Sequence, residues 1–181
     1  MTCLTLDRVA CVRGGRLLFE ELSLTLAPGA AALVTGPNGA GKSSLLRIAA
    51  GLLRPAEGRV EAARVALADG RAALDPELPL ARALAFWGAA DAAVLDDFGL
   101  TPLLTIPVRL LSTGQRQRAA LARVAADDAP LWLLDEPANG LDAAATAVLE
   151  RRIARHRASG GAVMLATHIA VALPDAVRIG L

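Results

Sequence analysis

Aromatic residues are scarce in this chain, which has no tyrosine, three phenylalanines and two tryptophans. A core must therefore be built from aliphatics, and the 54% apolar content is mostly Ala, Leu and Val in short runs broken by Gly, Pro and charge. No run approaches the ~20 apolar residues that span a bilayer. The N-terminus from Met1 to Arg8 also lacks the charged-then-apolar form of a secretory signal, so the chain is expected to stay in the cytoplasm. Cysteine is confined to Cys3 and Cys11, with neither metal-ligand spacing nor the density of a disulfide scaffold; both read as reduced core residues. A net charge of +1 offers nothing to a phosphate backbone or an anionic lipid surface, which argues against nucleic acid as a partner. The arginine-rich stretch from Glu150 to Arg157 reads as a solvated helix face with His156 exposed on it. At 181 residues the chain is long enough for one sizeable core and too short for two full domains.

What the chain does carry is a phosphate loop. Gly36, Pro37, Asn38, Gly39, Ala40, Gly41, Lys42 and Ser43 fit G-x-x-x-x-G-K-[ST] in full. The apolar run 31–35 ahead of it reads as a buried strand, and residues 44–50 behind it have helical spacing, so the loop lies in the context that its chemistry requires. The three glycines allow the backbone to curl until its N–H groups face one point. Lys42 adds a charge for the β and γ phosphates, the helix start adds its positive dipole end, and Ser43 has a hydroxyl for Mg²⁺. Ser44 follows in the first helical turn.

Residues 3–35 alternate in short apolar strands punctuated at Gly14-Gly15 and Pro28-Gly29, as an antiparallel β lobe would. Residues 59–67 read as a further strand or hairpin. From about Leu80 to Asp127 the pattern is helical, with Phe86 and Trp87 as expected packing anchors. Leu131 to Leu134 form an apolar strand, with Trp132 in the core, whose carboxyl end delivers Asp135 and Glu136 to the edge where open α/β sheets bind ligands. A helix to about Arg157 and a strand over 161–166 follow, ending just before His168. The helical insert, about 73–127, thus divides a core formed by 1–72 and 128–181.

The motifs of the second half, in their order, resemble those of the ATP-binding-cassette (ABC) ATPases over nearly the whole chain. Leu111-Ser112-Thr113-Gly114-Gln115 is similar to the LSGGQ signature, and Leu131 to Pro137 to the Walker B strand with its adjoining Glu. Asn139-Gly140-Leu141-Asp142 matches the D-loop, and Thr167-His168 the switch histidine. The resemblance implies an α/β fold: a P-loop NTPase (RecA-like) core with an antiparallel β lobe and a short helical subdomain. It implies that Asp135 holds Mg²⁺ with Ser43, that Glu136 polarises the attacking water, and that His168 reaches the γ-phosphate. Ser112, Thr113, Gly114 and Gln115 would act in trans on ATP held by a second copy, in a head-to-tail homodimer that grips transmembrane permease subunits.

Two departures accompany the resemblance. No Gln lies between the phosphate loop and the signature, although the family uses one there to touch Mg²⁺ and meet its membrane partner. That loop is expected near residues 68–73, where Asp69 could approach the metal, or the contact could be missing. The aromatic that stacks on adenine is also absent, and Arg13 stands at its place; a guanidinium plane can stack on a base. Within the family the chain is most similar to the heme-exporter ATPases of bacterial cytochrome c maturation, through residues 18–26, Leu46-Arg47-Ile48, Gly51 to Pro55 and Ile106-Pro107-Val108. This implies a peripheral subunit on the cytoplasmic side of the inner membrane. The alternatives are an efflux or importer cassette, a soluble cassette acting on DNA or ribosomes, and a degenerate regulatory cassette.

Overall fold

A computed structural model describes residues 2–70, 73–89, 91–169 and 171–181. The chain opens with two long strands, β1 (Leu4–Arg13) and β2 (Arg16–Leu26), joined by the Gly14-Gly15 turn and paired antiparallel. β3 (Ala31–Thr35) leads into the phosphate loop and α1 (Lys42–Ala49). β4 (Glu57–Ala62) and β5 (Val65–Ala68) follow closely but are not a hairpin. β4 joins β1 in a three-stranded sheet of order β2-β1-β4, whereas β5 starts the other sheet. The two-residue link at Ala63-Arg64 is where the chain passes between layers.

The helical insert comprises α2 (Leu80–Ala85), α3 (Ala92–Asp97), two single 3₁₀ turns and α4 (Thr113–Ala125). It then yields to β6 (Leu131–Asp135), α5 (Ala143–Ala158), β7 (Ala162–Ala166) and β8 (Val177–Gly180). The second sheet has the order β5-β6-β7-β3-β8 with every pairing parallel. Its central strands are covered on both faces, so they read as continuous apolar runs. The period of two still sorts the side chains. Leu131, Leu133 and Met164 join a core with α1 and the β lobe, while Trp132, Leu134, Val163 and Leu165 join the core beneath the insert and α5. Cys3 and Cys11 are buried in the first of these cores.

Several sequence expectations need correction. Phe86 and Trp87 are not packing anchors: they are 81% and 44% exposed, set edge-to-face at 5.5 Å, and the insert's core is filled by aliphatics and Phe98. Nor is the arginine-rich helix simply a solvated face. Arg152 reaches Asp97 at 2.5 Å and the Ala93 carbonyl at 3.0 Å, and Arg157 donates to the carbonyls of Gly29 and Pro174. His156 is half-buried, its ring stacked on Trp132 at 3.9 Å and 8°.

The far side of that ring lies where a side chain at Gly161 would stand: a Cβ there would be 2.1 Å from His156 Cε1 and Nε2. Gly161→Ala must therefore push the imidazole off Trp132, and we expect a loss of about 1–3 kcal/mol in urea unfolding. Burial also holds the His156 imidazole below its ordinary range, against an opposing hydrogen bond with Ala162 backbone. The unfolded chain then binds a proton there that the folded chain does not. Stability is full above the ordinary imidazole value of about 6.5 and falls as pH drops below it. His156→Phe should keep the stack and flatten this dependence between about pH 7.5 and 5.5; an unchanged slope would exclude His156 as its source.

Candidate active site

Register brings the site together. Val34 of β3 and Asp135 of β6 both pair with Ala166 of β7, so the phosphate loop, the Asp135-Glu136 turn and the Thr167-His168 segment leave the sheet at one edge. Ala68 of β5 pairs with Leu134, which sets Asp69 level with Asp135 on the other flank. A cleft of about 360 Å³ opens at this edge, lined by Arg13, Leu18, Asn38, Gly39, Gly41, Lys42, Ser43, Ser44, Asp135 and Glu136. Leu18 is the one lining residue that the sequence reading did not assign to the site.

The loop is built to receive an anion. Gly36, Gly39 and Gly41 have φ of 147°, 81° and 111°, a region closed to most side chains. The first intrahelical bond of α1 runs from Leu45 N to Gly41 O, leaving the N–H groups at Lys42, Ser43 and Ser44 without helical partners at the cleft. Lys42, only 6% exposed, donates from Nζ to the carbonyls of Gly36 (2.8 Å) and Pro37 (3.1 Å). Among the described residues no carboxylate pairs with it. An ammonium has three donors, so one remains for a ligand that supplies the missing negative charge. Ala40 stays in the loop turn through its N–H to Pro37 O. The Ser44 hydroxyl faces Cys11, whose thiol burial pushes up, so it stays protonated beneath the loop.

Opposite the loop, burial lifts the Asp135 carboxyl above its usual range; the Ser43 hydroxyl and Arg47 oppose the shift, and Glu136 and Asp69 add to it. Its Oδ1 is buried and has no hydrogen-bond partner among the described residues. An orphaned carboxylate oxygen beside a serine hydroxyl is the donor set of a hard divalent cation such as Mg²⁺, and the residues fit that ion.

Glu136 has φ +49°, in the left-handed region that a non-glycine residue avoids at a cost of about 1–2 kcal/mol. It is held there by Glu136 N to Ala166 O (2.8 Å) and Asn139 N to Glu136 O (3.2 Å). The His168 side chain meets Glu136 at this edge. Its Nδ1 lies 2.9 Å from Glu136 Oε2, and its backbone N–H donates to the same oxygen.

Ser112, Thr113, Gly114 and Gln115 do not line this cleft. Ser112 caps α4, with Gln115 N–H donating to Ser112 Oγ (3.2 Å) and Ser112 N–H to Gln115 Oε1 (2.8 Å). The Gln115 side chain is thus used inside its own helix. Asp142 caps α5 through Ala145 N–H at 2.7 Å. Asp69 pairs with Arg47 Nε at 3.1 Å, and Gln117 Nε2 donates to Pro137 O beside Glu136. The sequence showed neither contact, although an acid directly after an apolar strand signals the first. Arg71 and Ala72, part of the expected 68–73 loop, lie outside the described residues.

Residues 19–139 match the model of the ABC transporter family. The chain is 61% identical, over 95% of its length and 93% of the relative's, to the cytochrome c biogenesis ATP-binding export protein CcmA of Sphingopyxis alaskensis. It is 55% identical, over 91% and 88%, to the protein of that name from Novosphingobium aromaticivorans. Among solved structures it is similar to an ATP-binding subunit of an ABC transporter, with TM-score 0.85 and 24% identity over 93% of this chain and 80% of that one.

Lys42 is the only lysine in the sequence. Amine-reactive labelling followed by peptide mapping should therefore report on the loop alone, apart from the N-terminus. We expect ATP to suppress labelling of Lys42 and leave that of the terminus unchanged; equal labelling with and without ATP would show that the loop does not hold the nucleotide's phosphates.

Proposed function

Since this chain belongs to the ABC transporter family, we propose that it is the ATP-hydrolysing subunit of a transporter that drives heme export, or release of a heme-loaded chaperone, in cytochrome c biogenesis. The observation that carries the hydrolytic part is the convergence of Lys42, Ser43, Asp135 and Glu136 on one cleft at the ends of three parallel strands. The cargo assignment rests on the two relatives named for cytochrome c biogenesis and on the subfamily resemblance of the sequence.

In this reading the backbone N–H groups of the loop and the free donor of Lys42 bind the β and γ phosphates. Ser43 and Asp135 hold Mg²⁺, which when bound supplies positive charge to the phosphate oxygens. Glu136 accepts a proton from the water that attacks the γ-phosphorus, and the bond from that phosphorus to the β-phosphate oxygen breaks as ADP leaves. His168 keeps Oε2 of Glu136 in place for this. Arg13, at the mouth of the cleft, lays its guanidinium on the purine.

The signature residues complete the site of a second copy: the Ser112 hydroxyl, whose oxygen accepts in its own cap, and the N–H groups of Thr113 and Gly114 are the donors offered to its γ-phosphate. The active unit is a head-to-tail homodimer bound to transmembrane permease subunits. It lies peripherally on the cytoplasmic side of the bacterial inner membrane, consistent with the absence, among the described residues, of a helix long and apolar enough to cross a membrane.

Glu136→Gln removes the proton acceptor and keeps the shape. In membranes that hold the chain with its permease partners, we expect ATP turnover to fall by about 10²–10⁴-fold, together with assembly of c-type cytochromes. Lost turnover with normal cytochromes would keep the enzyme and reject the cargo; undiminished turnover would reject Glu136 as the base. Because a guanidinium stacks on either purine, GTP should be turned over within about tenfold of ATP, the effect of some 1.4 kcal/mol; a larger preference for ATP would remove Arg13 from the base-binding role.

A further inference from the structure

Glu136 holds a conformation that its own sequence opposes twice. Its φ of +49° lies in the left-handed region, and it precedes Pro137, whose ring crowds the backbone of the residue before it and favours an extended one. Such a residue relaxes unless its surroundings hold it. On its N-terminal side the hold is β7, through Glu136 N–H to Ala166 O. On its C-terminal side the turn closes on itself, with Asn139 N–H to Glu136 O and Leu141 N–H to Ala138 O.

The carbonyl between those two acceptors, that of the buried Pro137, has no backbone donor among the described residues. It accepts instead from Gln117 Nε2 of α4 at 3.0 Å. One turn earlier on the same face of α4, Gly114 lies so near the turn that a Cβ there would stand 2.7 Å from Gly140 O. Gly114 and Gln117 thus meet Gly140 and Pro137 in reverse order, and α4 lies along the turn with its backbone against it. Without the Gln117 amide, a buried acceptor would be left unsatisfied at the residue that follows Glu136.

On the reading of Glu136 as the proton acceptor, we propose that Gln117 is a positioning residue for hydrolysis: by holding the Pro137 carbonyl against α4 it keeps Glu136 in the left-handed conformation that turns its carboxylate into the cleft. In extended backbone the Cα–Cβ bond of Glu136 would leave in another direction and carry the carboxylate away from the cleft and from His168. Once Pro137 O is released, the turn loses its side-chain attachment to α4, and the strained Glu136-Pro137 pair is free to relax. Lys42 and Ser43 stand on α1 and are untouched by this change. The mark of Gln117 is therefore a loss of kcat without a loss of affinity for ATP.

The experiment measures ATP turnover in membranes that hold the chain with its permease partners, for the wild type, Gln117→Met, Glu136→Gln and the double variant. Methionine keeps the length and helix propensity of the side chain and removes the donor. We expect kcat to fall about tenfold to a hundredfold, the loss that a misplacement of about 1 Å brings, with KM within about twofold of the wild type. In the Glu136→Gln background the same substitution should have no further effect, because it acts through the carboxylate already removed. Gln117→Glu, which keeps the shape and sets an acceptor against the carbonyl, should lose at least as much turnover; it decides the matter if urea unfolding shows that the methionine variant does not fold. Wild-type kcat in Gln117→Met, or a rise in KM in place of the fall in kcat, overturns the proposal alone. So does a loss that multiplies with that of Glu136→Gln, which would assign the effect to the stability of α4 or to the contact of its first turn with a second copy. Full turnover in Glu136→Gln overturns the reading of Glu136 as the base and the role of Gln117 with it.

Discussion

The parallel pairing of β7 between β3 and β6 is the constraint on which the rest of the structure depends. All five residues of β7 are fully buried, and its last residue, Ala166, is the common register partner of Val34 and Asp135. A slip of one residue would turn every side chain of the strand to the opposite face. A slip against one neighbour alone would also separate the phosphate loop from the Asp135 carboxylate by a strand rise of roughly 3.3 Å, enough to undo the placing of reacting groups. Small residues at both ends, Ala162 and Ala166, let neighbouring strands and α1 close over it.

At the edge so created, three features are unfavourable in the chain by itself. Lys42 is a buried cation without a carboxylate partner, Asp135 a buried carboxyl with an orphan oxygen, and Glu136 a side-chain-bearing residue in a left-handed conformation. Each is the kind of local cost that persists only where surrounding structure enforces it. They lie within one cleft, and a single ligand, a nucleoside triphosphate with its divalent cation, would relieve the first two together. Anything that binds only the folded chain also stabilises it, so the fold and its proposed ligand are thermodynamically linked at this edge.

Much of this was legible in the sequence. The phosphate loop, the β6 strand with its two carboxylates and the start of α4 each combine a periodicity with a short motif, and both kinds of signal are local. What escaped was settled at long range. The division of β4 and β5 between two sheets depends on which partner each finds, not on the residues between them. His156 lies at a polar-looking helix position, but Gly161 leaves room for its ring against Trp132. Arg152 and Arg157 find acceptors on α3 and on loops remote in sequence. Phe86 and Trp87 were expected inside because large aromatics usually are; here aliphatics close the insert's core without them and Trp87 satisfies its N–H on Ala73.

The signature helix illustrates why a residue's type does not fix its task. Gln115 and Ser112 cap each other through Oε1 and Oγ as acceptors, which fixes the first turn of α4 and leaves the Ser112 hydroxyl and the Gln115 amide as donors. The backbone N–H groups of this turn are fixed in direction by the same cap, a preorganised arrangement that suits an anion. Within one chain these donors do not reach the cleft that holds Lys42 and Glu136. In the head-to-tail pairing proposed above, a second copy would bring its phosphate to these rigid donors, and the arrangement would do this for both copies at once.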